Sequence, residues 1–256
     1  MANRPGGELA SRPLQFVWVV DCSGSMEGQK IASLNNALRE ALPEMQRVAN
    51  DNPNAQVLVR VLKFSTGAQW LVSTPTPVGE FKWNDLSAER GAVTDMGRAM
   101  ELLAEALKME AMPARGLPPV LVLVSDGQPT DDFGSGLKKL FEQPWGKKAV
   151  RVAIGIGEDA DMDELQKFVN HPELKALRAA DAPSLVKYIR WASTVPLKAA
   201  SQPASQVPSP AGTGAVGAGG AGGPPPLPTD PAAGNVPIPA PPGPVDPSQV
   251  SAADVF

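Results

Sequence analysis

The chain has 256 residues with 23 Lys and Arg against 27 Asp and Glu, a net charge of −4. No basic block occurs, which removes the electrostatic footing for binding nucleic acid or an anionic membrane. The single cysteine, Cys22, excludes an intrachain disulfide and a thiolate zinc cluster, and the absence of a signal-like start or an apolar run of about 18 residues leads to the expectation of a cytoplasmic protein.

Residues 1–13 read as a flexible lead. Residues 14–20 read as a strand whose run Phe16-Val17-Trp18-Val19-Val20 is continuously apolar, as in a parallel strand buried on both faces. That strand ends on Asp21-Cys22-Ser23-Gly24-Ser25, which sets a carboxylate and two hydroxyls at its carboxyl tip. Hard oxygen donors of this kind suit Mg2+ or Mn2+. Ser/Gly loops are common at strand ends, so the pentapeptide by itself says little.

A helix follows, with Ile31, Leu34, Leu38, Leu42, Met45 and Val48 on one face and Pro43 expected to kink or break it. Residues 56–64 read as a strand, and 69–73 as its antiparallel edge partner. Residues 74–93 read mostly as loop. The next helix is expected over 95–110, its apolar face built from Met96, Ala99, Met100, Leu103, Ala106 and Leu107. Apolar strands follow at 119–124 and 150–156, a short strand near 176–179, and weaker helices at 136–142, 161–169 and 182–192. Buried strands interleaved with amphipathic helices give an α/β fold: a doubly wound, mainly parallel sheet with one antiparallel edge strand, spanning residues 14–198.

Composition breaks after Lys198. Residues 199–256 hold half of the 28 prolines, no Lys or Arg, and only Asp230, Asp246 and Asp254 as charged side chains. Such a segment buries too little apolar surface to offset its ordering entropy, so a disordered tail with local polyproline II character is expected. Its flexible-coil span is roughly 40 Å.

Ligands of doubly wound sheets bind beyond the carboxyl ends of the strands. Asp21 stands there, and two further segments lead to the same edge. Gly91-Ala92-Val93-Thr94-Asp95 precedes the second long helix, and Ser125-Asp126-Gly127 leaves the strand at 119–124. Asp21-x-Ser23-x-Ser25, then Thr94, then Asp126-Gly127 resemble, in order, the metal-ion-dependent adhesion site of von Willebrand factor A domains. The resemblance implies a Rossmann-like fold in which Ser23, Ser25 and Thr94 bind Mg2+ (or Mn2+) through hydroxyls while Asp21 and Asp126 act mainly through water. Neutral hydroxyls leave the ion electrophilic, so an Asp or Glu from a partner protein completes its coordination. Taken singly, these residues also read as caps, turn formers and strand-end acceptors.

Ser125-Asp126-Gly127-Gln128-Pro129-Thr130-Asp131-Asp132 and Tyr188-Ile189-Arg190-Trp191-Ala192-Ser193 resemble the bacterial TerY-type branch, associated with tellurium resistance. That resemblance implies an adaptor in a stress response beside a Ser/Thr kinase and a PP2C-type phosphatase. The long Pro-rich tail departs from the branch's pattern. Two other classes compete: a subunit working with an AAA-type ATPase, and a Mg-dependent hydrolase using Asp21 and Asp126. Against the hydrolase stand the lack of a suitable His, of a Lys among the three motifs, and of carboxylate-rich ligation, so the chain is expected not to be an enzyme.

Other residues draw plainer expectations. Asp131 and Asp132 are expected to cap the next helix, and Asp95 to cap its own. Cys22 reads as packing and His171 as a surface or capping residue. Trp18 and Trp191 read as core, and Trp83 as a candidate exposed anchor near the Thr94 loop. Asp230, Asp246 or Asp254 is a candidate for occupying the metal site in cis or on a neighbouring chain.

Overall fold

Strands β1 (Arg12–Asp21), β2 (Ala55–Ser65), β3 (Gly67–Pro77), β4 (Val120–Ser125), β5 (Val150–Ile156) and β6 (Leu177–Ala179) form one sheet in the order β3-β2-β1-β4-β5-β6. All neighbours are parallel except β2 and β3. In this computed structural model the described residues are 11–201 together with 238–243, 245–246, 248, 250–251 and 255–256.

The doubly wound sheet with its antiparallel edge is as expected. Every residue of β4 and β5 is buried, the signature of strands covered on both faces. Helices α1 (Gln29–Asn50), α2 (Met96–Ala106), α3 (Phe133–Glu142), α4 (Pro144–Lys148), α5 (Met162–Val169) and α6 (Ala182–Ala200) provide that cover. Right-handed crossovers run in opposite directions along the sheet, from β1 to β2 through α1 and from β4 to β5 through α3, which puts α1 and α3 on opposite faces. The packing agrees, since α1 lies against α6, and α2 against α3.

Several elements outrun their sequence signals. Helix α1 passes unbroken through Pro43. Pro43 is exposed and so is Arg39, whose carbonyl loses its donor, while Leu38, Ala41, Met45 and Val48 are buried on either side. At this exposed position the freed carbonyl is open to solvent, and core packing on either side holds the helix through the proline. Helix α6 runs past Ala192 and through Pro196 to Ala200, because Leu197, Ala199 and Ala200 are buried too. By contrast α2 stops at Ala106, with Leu107 as its C-cap. Helix α4 lacked any sequence signal. Among the described residues, no helix is long and apolar enough to cross a membrane.

Of the disordered tail expected over 199–256, Ala199 and Ala200 instead complete α6 with Ser201 as its C-cap, and 202–237 with the remaining undescribed positions lie outside the described residues. The described end of the tail touches the domain. Ile238 and Phe256 pack on the core, Lys187 Nζ donates to the Gly243 carbonyl at 2.6 Å, and Val255 forms an antiparallel bridge with Asp181.

Candidate metal centre

The tips of β1 and β4 are adjacent, with Val20 opposite Val124, so Asp21 and the Ser125–Asp126 step leave the sheet side by side. Asp21 is wholly buried and held at both oxygens. The Ser23 amide donates to Oδ1 at 2.8 Å and the Ser125 hydroxyl donates to Oδ2. Ser125 in turn accepts from the Gly127 amide at 2.9 Å. Gly127 has φ +74°, and a Cβ there would fall 2.6 Å from the Asp161 carbonyl, so this turn requires glycine. Burial pushes the Asp21 carboxyl up to about 6, against the pull of the Ser125 and Ser23 hydrogen bonds and with a further push from Asp126.

Ser23 is buried and Ser25 exposed, their hydroxyls 3.0 Å apart. The Gly24 amide bonds the Ala92 carbonyl at 3.1 Å, tying this loop to the stretch that carries Thr94. Thr94 is buried and pinned to the third loop. Its amide donates to Thr130 Oγ1 and its carbonyl accepts from the Thr130 amide, both at 2.9 Å. Asp21, Ser23, Ser25, Thr94 and Asp126 therefore lie on three interlocked loops at one edge of the sheet.

Asp126 is the outlier. It is wholly buried, yet neither carboxylate oxygen has a hydrogen-bond donor among the described residues. Its nearest cation is Lys30 Nζ at 3.9 Å, which bonds Asp159 more closely at 3.0 Å. A buried carboxylate without donors is costly and calls for a positive charge. Neighbouring hydroxyls and a second carboxylate offer hard oxygens, which fit a small divalent cation. No cluster of three or more His, Cys, Asp or Glu side chains occurs among the described residues, so ligation here depends on hydroxyls.

Several assignments change. A lysine does stand at the motifs: Lys30, from the first turn of α1, was invisible because nothing local links it to Asp126. Asp132 caps α3 through the Ser135 amide at 2.9 Å, as expected. Asp131 instead reaches across to α2 and accepts from the Gly97 and Arg98 amides at 2.7 and 2.8 Å. Asp95 stands at the N-cap of α2 without capping it, because its carboxylate accepts from the Gly67 amide at 2.7 Å and braces the β2–β3 turn. Trp83 is no free anchor: it packs on the core and its indole N–H donates to Asn35 Oδ1 at 3.1 Å. Trp18 and Trp191 are core residues. His171 Nδ1 accepts from the Glu173 and Leu174 amides, a local cap. Cys22 is fully buried and burial pushes its thiol up to about 12, so it is inert packing. Asp246 lies beside α6 and accepts from the Ser248 amide at 2.9 Å, away from the metal loops, while Asp230 and Asp254 lie outside the described residues.

The model of the von Willebrand factor type A domain matches residues 16–190. The chain therefore belongs to that family, whose members commonly act as metal-dependent protein-interaction modules. No curated protein matches it. Similar solved structures include a von Willebrand factor type A protein from Catenulispora acidiphila (18% identity, TM-score 0.53), with 73% of this chain and 43% of that one covered. Another is the ArnB paralog VWA2 from Sulfolobus acidocaldarius (20%, TM-score 0.51), with 70% and 44% covered. A third is proximal thread matrix protein 1 of the mussel byssus, with zinc in its MIDAS motif (15%, TM-score 0.54), with 73% and 48% covered. The chain spans less than half the length of each, and at these identities the likeness is one of fold.

Proposed function

We propose that this domain is a protein-interaction module that binds Mg2+ or Mn2+ and presents it to a carboxylate of a partner. The observation that carries the reading is Asp126, buried beside a hydroxyl-lined edge with no hydrogen-bond donor on either oxygen among the described residues and only the shared Lys30 at 3.9 Å as its cation. Ser23, Ser25 and Thr94 would hold the ion through hydroxyls, with Asp21 and Asp126 through intervening water. Bound there, the ion supplies an electrophilic position that an outside carboxylate can fill. Asp21 is kept in orientation by Ser125 and the Ser23 amide. Ser25, the exposed hydroxyl of the set, lies where a partner arrives.

Binding is preferred to catalysis because the side chains at the edge are committed to holding one another. Asp21 has its donors, Lys30 is shared between two carboxylates, and Cys22 is buried and inert. The TerY-like segments support an adaptor role in a cytoplasmic stress response such as tellurite resistance, with a Ser/Thr kinase and a PP2C-type phosphatase as partners. That context rests on sequence resemblance.

Manganese titration followed by electron paramagnetic resonance tests the site. Wild type is expected to bind one ion, more tightly with millimolar glutamate as the carboxylate probe, and Asp126→Asn to lose binding. Metal affinity equal in wild type and Asp126→Asn would refute the site. Metal-dependent turnover of a phosphoester that disappears in Asp21→Ala would replace the adaptor reading with a hydrolase.

A further inference from the structure

The end of the Pro-rich tail has an observed location that the metal site does not explain. It reads Ile238-Pro-Ala-Pro-Pro-Gly-Pro-Val245-Asp-Pro-Ser248, a spacing that favours a polyproline II strand with few residual backbone donors. Gly243, Val245 and Asp246 lie against α6, where Pro183, Val186 and Trp191 give an apolar floor and Lys187 and Arg190 line the side. These are the parts of a polyproline-reading groove: an aromatic and aliphatic floor, and donors for the exposed carbonyls. Lys187 fills the donor role on the Gly243 carbonyl at 2.6 Å. Ile238 and Phe256 anchor the two described ends on the core, and the Phe256 amide bonds the Ala180 carbonyl at 3.2 Å.

The attachment is shallow. Val255 is 48% exposed, and a cleft of about 540 Å³ stays open between α6 and residues Val245 and Asp246. Its contacts with the domain include the Lys187–Gly243 hydrogen bond and the Val255–Asp181 bridge, and the apolar residues Ile238, Pro241, Pro242, Val245, Val250 and Phe256 are half-buried rather than buried. A segment with no fully buried side chain among its described residues opens with less free energy than a core element.

We propose that the β6–α6 edge is a second binding site, a groove for an extended proline-rich segment, and that residues 238–256 of the same chain are its resident, exchangeable ligand. The site is chemically separate from the metal loops, since it reads backbone carbonyls and aliphatic side chains rather than a carboxylate. Beta6 nonetheless ends at the same edge of the sheet as β1 and β4, so a bound tail stands beside the face a metal-bound partner approaches.

The test uses the full chain and a fluorescein-labelled synthetic peptide of residues 236–256. The double variant Ile238→Asp/Phe256→Asp releases the tail. It is expected to bind the peptide at least tenfold more tightly than wild type, whose groove is filled, and adding Val186→Asp is expected to remove that binding. An unchanged thermal response to Mg2+ in all three proteins shows that each is folded and separates this site from the metal centre. Equal peptide affinity in wild type and the double variant, or none in either, overturns the proposal. A wild-type dimer that the double variant dissolves would move the ligand to a second copy and overturn its assignment to the same chain.

Discussion

The two ends of the sheet's carboxyl edge are built on opposite principles. Over β1 and β4, three loops are locked by reciprocal bonds, as between Thr94 and Thr130, around a carboxylate left without donors. Beyond β6, along α6, a shallow groove is covered by a segment whose described side chains are at most half-buried. The first region stores an unsatisfied charge in a rigid frame and so favours an ion. The second stores nothing and so favours exchange. A chain with both can hold one ligand by electrostatics and another by reversible apolar docking.

The largest effect should come from removing the stored charge. Asp126→Asn should weaken Mn2+ binding at least a hundredfold, about 2.8 kcal/mol, while making the chelator-treated protein more stable than wild type, because a buried carboxylate without hydrogen-bond donors, offset only by the shared Lys30, is gone. Calorimetric scans with chelator and with metal check both halves. A destabilised Asn variant in chelator would break the contrast.

A comparable effect should follow from pH. Asp21 titrates near 6 in the folded chain against an ordinary 3.8. A carboxyl raised on folding gives stability that is complete below pH 3.8 and lost as pH rises through about 6. In chelator the unfolding free energy should therefore fall by up to about 3 kcal/mol over that window, apart from other groups' contributions. Denaturant titrations at pH 4 and pH 6.5 on wild type and Asp21→Asn measure it, and the Asn variant should lose this component.

Ser125→Ala takes a donor from Asp21 and an acceptor from Gly127. It should cost about 1–3 kcal/mol, read as a lower denaturation midpoint. Smaller still, Lys30→Met removes a competing cation 3.9 Å from Asp126 and should raise Mn2+ affinity about tenfold, near 1.4 kcal/mol. Unchanged or weaker binding would mean that Lys30 supports the ion rather than competing with it.

The sheet was legible because its strands are apolar on both faces and its helices on one. Asp21 and Asp126 could be set at one edge because parallel strands gather their tips there. What stayed hidden depends on approach between distant segments. Lys30 meets Asp126 only once α1 is laid down, and Asp131 skips its own helix because α2 and α3 come so close at Gly97 and Gly136. A Cβ on Gly136 would stand 2.4 Å from the Gly97 carbonyl. Pro43 misled for the opposite reason, as a local rule outvoted by burial on both sides. Trp83 resembled a free aromatic until Asn35 claimed its indole.

The position of β1 in the sheet has a mechanical meaning. Its register with β2 runs from Arg12↔Ala55 to Asp21↔Phe64, and β4 flanks it from Phe16↔Val120 to Val20↔Val124. Tension applied at Asp21 along the strand would load those hydrogen bonds together, in shear. Beta6, joined to the sheet over Leu177 to Ala179 along one side only, has far fewer bonds to share such a load. A partner tugging on the metal would therefore pull against a long, two-sided seam.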